Sequence, residues 1–355
     1  MSLKQRLKDQ IAADGPLTVA QYMTACLHDP QDGYYATRPR LGADGDFITA
    51  PLVSQMFGEL LGLWAVEVWM RLGQPDRVIL AEAGPGDGTL IGDVLRAARL
   101  APAFLQAAHL YLIETSPPLI EAQRARLAQT AMQPVWIGSL AALPSGAPII
   151  LIANELLDCL PARQFVRTER GWAERMVGLD EHGALVFGLA ARPIDGLAPS
   201  APIGAILETS AAQEAFGAEL GAILAREGGA ALLIDYGRSE PGTGGTLQAL
   251  KSHQKLDPLQ TPGEADLTVH ADFPAVAAAA RKAGASTALL TQSDLFMRLG
   301  IAERAAALTR ARPDRAETIQ RQLARLTDAD QMGSLFKALA IYAPAELTPP
   351  GFEEL

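Results

Sequence analysis

Residues Arg77–Asp93 read RVILAEAGPGDGTLIGD. The apolar run Val78-Ile79-Leu80 closes on an acid, Glu82, and the bend Gly84-Pro85-Gly86-Asp87-Gly88 follows before Thr89 opens an amphipathic segment. A short apolar run, a Gly/Pro bend and a helical apolar repeat predict buried strand, tight loop and helix. Glycines at alternate positions let the chain turn sharply and let a ligand lie against the backbone, while the first turn of the helix offers N–H groups with no intrahelical partner. That suits a nucleotide-like ligand; the plainer alternative is a loop that only joins strand to helix. Spacing narrows the choice. A dinucleotide fingerprint needs Gly-x-Gly-x-x-Gly or Ala, but Gly88 comes one position early and Thr89 fills the last slot. A P-loop is excluded because no Gly-Lys-Ser/Thr follows.

Glu-x-Gly-x-Gly-x-Gly, with the acid closing the strand, is similar to the pattern of class I methyltransferases that bind S-adenosylmethionine. The next strand adds to this. Leu110-Tyr111-Leu112-Ile113-Glu114 is a second apolar run closed by a carboxylate, and ligands of parallel α/β sheets sit beyond the carboxyl ends of strands. A carboxylate there can accept hydrogen bonds from both hydroxyls of a ribose. Alone, Glu114 would be a solvated strand end; with Glu82 and a glycine bend between, the two acids make a pocket for one nucleoside.

With 355 residues, 49% of them hydrophobic, the chain can bury a substantial core and carry one large domain or two. A net charge of −10 without a dense Lys/Arg cluster argues against a nucleic-acid groove. Two cysteines, Cys26 and Cys159, are too few for a disulfide framework and are expected as free thiols. His28, His109, His182, His253 and His270 share no ligand spacing, so no metal site is expected. No apolar stretch reaches the roughly 18 residues of a membrane span, and MSLKQRLKDQIAADG has no apolar signal core, which makes the cytoplasm the default address.

Along the chain, residues 2 to 14 predict a helix stopped by Gly15-Pro16, and Thr18 caps a second over 19 to 27. Leu41 to Pro51 is either a connector or a lid, and a long apolar helix runs from Leu52 to about Leu72, as core or as interface. Strands are expected at 78–82, 110–114, 134–137, 148–153 and 231–235, alternating with helices at 89–99, 117–129 and 211–226. This predicts a parallel sheet covered on both faces. Residues 163 to 189 alternate apolar and polar and predict a small antiparallel insertion. Residues 237 to 262, rich in Gly, Pro, Gln and Thr, predict a long loop. Then come a helix at 272–283, a strand at 286–291, helices at 293–309 and 313–328, and a closing strand at 336–341 antiparallel to 286–291.

Seven blocks now stand in order: GDFITAPLVSQMFGELLGLWA, EAGPGDGTL, YLIETSPPLIEAQ, ANELLDCLPARQF, LLIDYG, GTLQALKSH and PGEADLTVHADF. Together they resemble the MidA family of class I S-adenosylmethionine-dependent methyltransferases, from about Asp14 to about Ala343. The resemblance implies an α/β fold with a Rossmann-like seven-stranded sheet. It would have a helical N-terminal region with the lid at 1–75 and a methyltransferase domain at 76–355 carrying insertions at 160–200, 237–265 and 293–330. Mitochondrial members of that family are assembly factors for respiratory complex I that methylate an arginine of a core subunit. The resemblance therefore implies a protein arginine methyltransferase with S-adenosyl-L-methionine as cofactor and a protein, such as a complex I subunit, as partner. Carried over by motif, Glu82, Gly84, Pro85, Gly86, Gly88 and Thr89 would cradle the methionine part, Glu114 with Thr115 would hold the ribose, and Gly138, Ser139 and Leu140 would lie near the adenine.

Asn154-Glu155-Leu156-Leu157-Asp158 follows directly on the apolar run Ile149 to Ala153, at the carboxyl end of the fourth strand. Methyl transfer from a sulfonium is an in-line displacement, so the enzyme chiefly holds the nucleophile on the axis. A guanidinium is always charged and a poor nucleophile, and carboxylates that grip it with paired hydrogen bonds fix its charge away from the attacking nitrogen. Glu155 is the expected grip, Asp158 the second carboxylate, and Asn154 the orienting amide; the bland reading is that both acids are loop charges or a helix N-cap. Asp235-Tyr236 either lines a substrate channel or simply ends the fifth strand. Besides the arginine enzyme, two readings stay open: an assembly chaperone that binds cofactor and client without essential catalysis, and a small-molecule methyltransferase with 237 to 262 as lid. The oligomeric state is open as well.

Overall fold

Val78–Ala83 (β1) is buried along its whole length, which is why its sequence is a continuous apolar run and not an alternation. In the computed structural model, which describes residues 1–37, 49–130, 132–194 and 201–353, it lies inside a twisted sheet. The same sheet holds β2 (Ala108–Ile113), β3 (Val135–Ile137), β4 (Ile149–Asn154), β5 (Gly229–Arg238), β6 (Ser286–Thr291) and β7 (Phe336–Ala343). The order across the sheet is β6-β7-β5-β4-β1-β2-β3. Pairing is parallel from β5 through β3, and β7 runs antiparallel to both β5 and β6. The chain leaves β1 for β2 and β3 on one side and returns to β4 on the other, so the order reverses at β1. In such sheets a crevice opens at that point, beyond the carboxyl ends.

Helix α1 (Gln55–Arg71) is core. Gly58 and Gly62, four residues apart, share one face of it and let it press against α2 (Thr89–Ala98). A Cβ on Gly58 would stand 2.5 Å from Asp93 Cβ, and one on Gly62 2.7 Å from the Val94 carbonyl oxygen. The helix expected from Leu52 starts later, because Ser54 is extended and its hydroxyl accepts from the Met56 N–H at 3.2 Å. Of the lid expected at Leu41 to Pro51, residues 41–48 lie outside the described residues, and Ala50–Val53 is a short helix. The helix expected at 293–309 is two, Gln292–Arg298 and Ile301–Ala311, broken where Gly300 takes φ +86°. Among the described residues no helix is long and apolar enough to cross a membrane.

The chain divides into two compact units. The sheet belongs to the unit of Ile48–Leu156, Glu214–Ser239 and Phe273–Leu355. The other comprises Met1–Phe47, Leu157–Gln213 and Glu240–Asp272. The boundary expected at residue 75 is thus not where the units part, since segments remote in sequence bury their apolar faces together: Leu3, Leu7 and Ile11 share a core with Val177, Leu267 and Val269. In this unit Thr18 and Gln21 form a reciprocal cap on helix Val19–His28. The insertion expected at 163–189 is the meander Arg163–Thr168, Gly171–Leu179 and Leu185–Leu189, extended by Leu17–Thr18 and Ile206–Thr209. The long loop expected at 237 to 262 contains a hairpin, Gln248–Lys251 with Gln254–Leu256, and its first strand also pairs with Asp266–Thr268. Ser252 and His253 make its tight turn at φ +50° and +61°, without the Asn-Gly or Asp-Gly pair that would have announced it.

Candidate cofactor and active site

The glycine bend begins as a continuation of β1: the Gly84 N–H donates to the Ile113 carbonyl of β2 at 3.1 Å. Gly84, Gly86 and Gly88 then take φ of +66°, +55° and +82°, backbone conformations that strain an L side chain. Space matters at the first. A Cβ on Gly84 would meet Leu156 Cδ1 at 2.9 Å, so the bend and the segment after β4 touch. Gly88 is the N-cap of α2 and brings no side chain to its first turn; the Thr89 N–H is instead taken by Asp87 Oδ1 at 2.9 Å.

Glu82 is 3% exposed, and its Oε2 has no hydrogen-bond partner among the described residues. Burial pushes its carboxyl up to about 8, with Asp87 and Glu114 adding to the push and the Ile91 backbone opposing it. Thr89 Oγ1 and Asn154 Oδ1 are likewise buried without a partner among the described residues. Buried polar atoms are normally paired. Three unpaired ones around a bend of three left-handed glycines make a cradle suited to a polar, positively charged ligand.

Glu114 stands just past β2. Its Oε1 accepts from the N–H groups of Thr115 and Ser116, both at 2.8 Å, while among the described residues its Oε2 receives Gln123 Nε2 alone, at 3.3 Å. Burial raises its pKa, and those three donors work against the rise. Thr115 Cγ2 lies 4.0 Å from where a Cβ on Gly138 would stand, so the ends of β2 and β3 adjoin. Ser139 is extended and exposed, whereas Leu140 is buried at the start of a short 3-10 turn.

After β4 the Glu155 N–H still donates to the Ile234 carbonyl of β5 at 2.8 Å, yet its φ is +51°. A β-region strand therefore ends on a left-handed glutamate, an unfavourable conformation that recurs at functional positions. Its Oε1 accepts from Asn154 Nδ2 at 2.9 Å and from the Ala50 N–H at 3.0 Å. That second bond satisfies the first N–H of the short helix Ala50–Val53, whose N-cap is Thr49, so this acid serves a helix start without being the N-cap residue itself. Asn154 and Glu155 belong to the sheet unit. Asp158 does not: it is 6% exposed inside the other unit, where its carbonyl accepts from the Val269 N–H at 2.9 Å. Asp235 sits within β5 and not at its end, and is 1% exposed. Its Oδ1 accepts from the Tyr236 N–H at 2.8 Å. Among the described residues no group of His, Cys, Asp or Glu could hold a metal.

Two residues given no role by the motifs are part of this site. Gln123, fully buried on α3 (Pro117–Leu127), donates to the Gly86 carbonyl at 2.7 Å and accepts from Trp136 Nε1 at 2.7 Å. Arg126, one turn on, donates to the Asp87 carbonyl at 3.0 Å and to its Oδ2 at 2.6 Å. The sequence did carry a signal for the first: Leu119, Gln123 and Leu127 are spaced on one helix face, so an amide falls in a buried apolar stripe.

The reversed parallel sheet, the glycine bend and the two acids at strand ends define a class I S-adenosylmethionine-dependent methyltransferase. Residues 60–291 match the family described as S-adenosyl-L-methionine-dependent methyltransferase, and the chain belongs to that family. Over 98% of this chain and 88% of the relative, it is 34% identical to "Protein arginine methyltransferase NDUFAF7, mitochondrial" of Danio rerio. It is 34% identical to the protein of the same name from Homo sapiens, over 84% of this chain and 73% of that one. A crystal structure from Burkholderia thailandensis, bound to S-adenosyl-homocysteine, superposes with a TM-score of 0.84 at 27% identity, covering 99% of this chain and 92% of that one. The expectation of a cytoplasmic address does not stand, because relatives matching nearly the whole chain are named as mitochondrial. It rested only on features the sequence lacks, and an absence constrains no address.

Proposed function

We propose that the protein transfers the methyl group of S-adenosylmethionine to an arginine side chain of a protein substrate, a subunit of respiratory complex I, and so supports assembly of that complex. The names of the relatives support the arginine reading. The observation that carries it on this chain is Glu155, held at φ +51° beside the orphaned Asn154 amide oxygen at the carboxyl end of β4. When bound, the cofactor supplies an electrophilic methyl group on a sulfonium. Glu82 and the 84–88 bend hold its methionine part, Glu114 takes its ribose hydroxyls, and Gly138 to Leu140 flank its adenine. Glu155 would grip the guanidinium through charge-assisted hydrogen bonds and hold its remaining nitrogen on the axis of methyl transfer. Asn154 fixes the Glu155 carboxylate through the bond it already donates.

The test is incubation with a methyl-labelled donor and a lysate containing complex I subunits, followed by sequencing of labelled peptides. Label on an arginine supports the reading. Label confined to small molecules, or none, defeats it.

A further inference from the structure

We infer that Gln123 is a positioning residue for the cofactor: its amide fixes the Glu114 carboxylate and the Gly86 carbonyl in one geometry, and thereby sets how strongly the ribose hydroxyls contribute to binding. This rests on the reading of Glu114 as the ribose acid.

The orientation of the amide is settled by its partners. An indole N–H can only donate, so the oxygen of Gln123 must face Trp136 Nε1, at 2.7 Å. The NH₂ group therefore faces the other way, where two acceptors wait: the Gly86 carbonyl at 2.7 Å and Glu114 Oε2 at 3.3 Å. One amide thus joins β3, the glycine bend and the end of β2, and it is 0% exposed. Packing keeps it there. A Cβ on Gly88 would stand 3.5 Å from both Cα and Cγ of Gln123, so the bend rests on this residue.

The division of labour on Glu114 gives the function. Its Oε1 is saturated by two backbone N–H groups at 2.8 Å, which fix one edge of the carboxylate. Among the described residues, rotation about that edge is checked by the long Gln123 bond to Oε2 alone, and Oε2 keeps lone-pair capacity for an incoming hydroxyl. Without the amide, Glu114 would remain but would lose its aim.

The experiment is calorimetric titration of S-adenosylhomocysteine, and of its analogue lacking both ribose hydroxyls, into wild type, Gln123→Met and Trp136→Phe. The expected result is that Gln123→Met weakens the parent ligand about ten- to hundred-fold, the loss that follows from removing one partner of buried polar groups. The analogue should lose much less, because the hydroxyls through which Gln123 acts are gone. Trp136→Phe, which keeps the amide but frees it to flip, should narrow the ratio of the two affinities in the same direction. It gives the same reading should Gln123→Met fail to fold. Equal weakening of both ligands, or wild-type affinity in both variants, overturns the inference. If wild type itself ignores S-adenosylhomocysteine, the cofactor assignment fails instead, and the two failures are distinct.

Discussion

Glu155 carries the largest consequence at the scale of a single side chain. Replacing it by glutamine keeps the shape, the αL backbone and an acceptor oxygen, but removes the charge that would grip a guanidinium. Glu155→Gln is expected to bind S-adenosylhomocysteine as wild type does while transfer falls about 10²-fold or more; unchanged turnover would remove Glu155 from the chemistry and leave it as the acceptor of the Ala50 N–H. Glu82 carries a pH dependence. Its folded pKa, about 8, lies above the ordinary carboxylate value of 4.5. Below that ordinary value both folded and unfolded chains hold the proton, and the group adds no pH dependence. Between it and about 8 only the unfolded chain gives the proton up, so stability falls as pH rises, by about 1.4 kcal/mol per unit for this one group. The melting temperature of the ligand-free protein should decline from pH 5 to pH 8, and Glu82→Gln should flatten that decline. A curve identical in both proteins would show that Glu82 does not titrate there.

Among the elements, α1 and α2 are set by two glycines. Gly62→Ala would push a methyl group to 2.7 Å from the Val94 carbonyl and 2.9 Å from Ala97 Cβ, both on the helix that starts at the cofactor bend. Overpacking of this kind costs about 1–3 kcal/mol. The variant should melt lower and also bind S-adenosylhomocysteine more weakly, because α2 must shift and carry Gly88 and Thr89 with it. Thermal unfolding and titration check the two effects, and wild-type values for both would mean that the helices separate freely. The sequence showed the apolar length of this helix and could not say whether it was core or interface, since the two demand the same residues. Likewise the Ser252-His253 turn was hidden, because what defines it is a backbone sign and not a residue type.

For the whole molecule the relevant quantity is linkage between ligand and fold. S-adenosylhomocysteine at a hundred times its dissociation constant adds about 2.7 kcal/mol to the state that binds it. Hydrogen exchange with and without the ligand should show new protection at 82–89, 113–115 and 154–156, all in the sheet unit, and little change over 163–189. Protection spread evenly over both units would contradict a cradle confined to the carboxyl ends of β1, β2 and β4.

From the residues alone one could read the strands of the large sheet, the glycine bend, the acids at 82 and 114 and the family, because each is a local pattern: an apolar run, a turn that demands glycine, an acid at a strand end. Such patterns are enforced within a dozen residues of chain and survive being read in one dimension. Tertiary structure alone decided that Asp158 is buried in the other unit while Glu155, three residues earlier, stays with the sheet. It also decided that Gln123 reaches Gly86, 37 positions away in sequence, and that each compact unit is assembled from three separate stretches of chain. Those are contacts between remote segments, set by which apolar faces bury one another, and no local period records them.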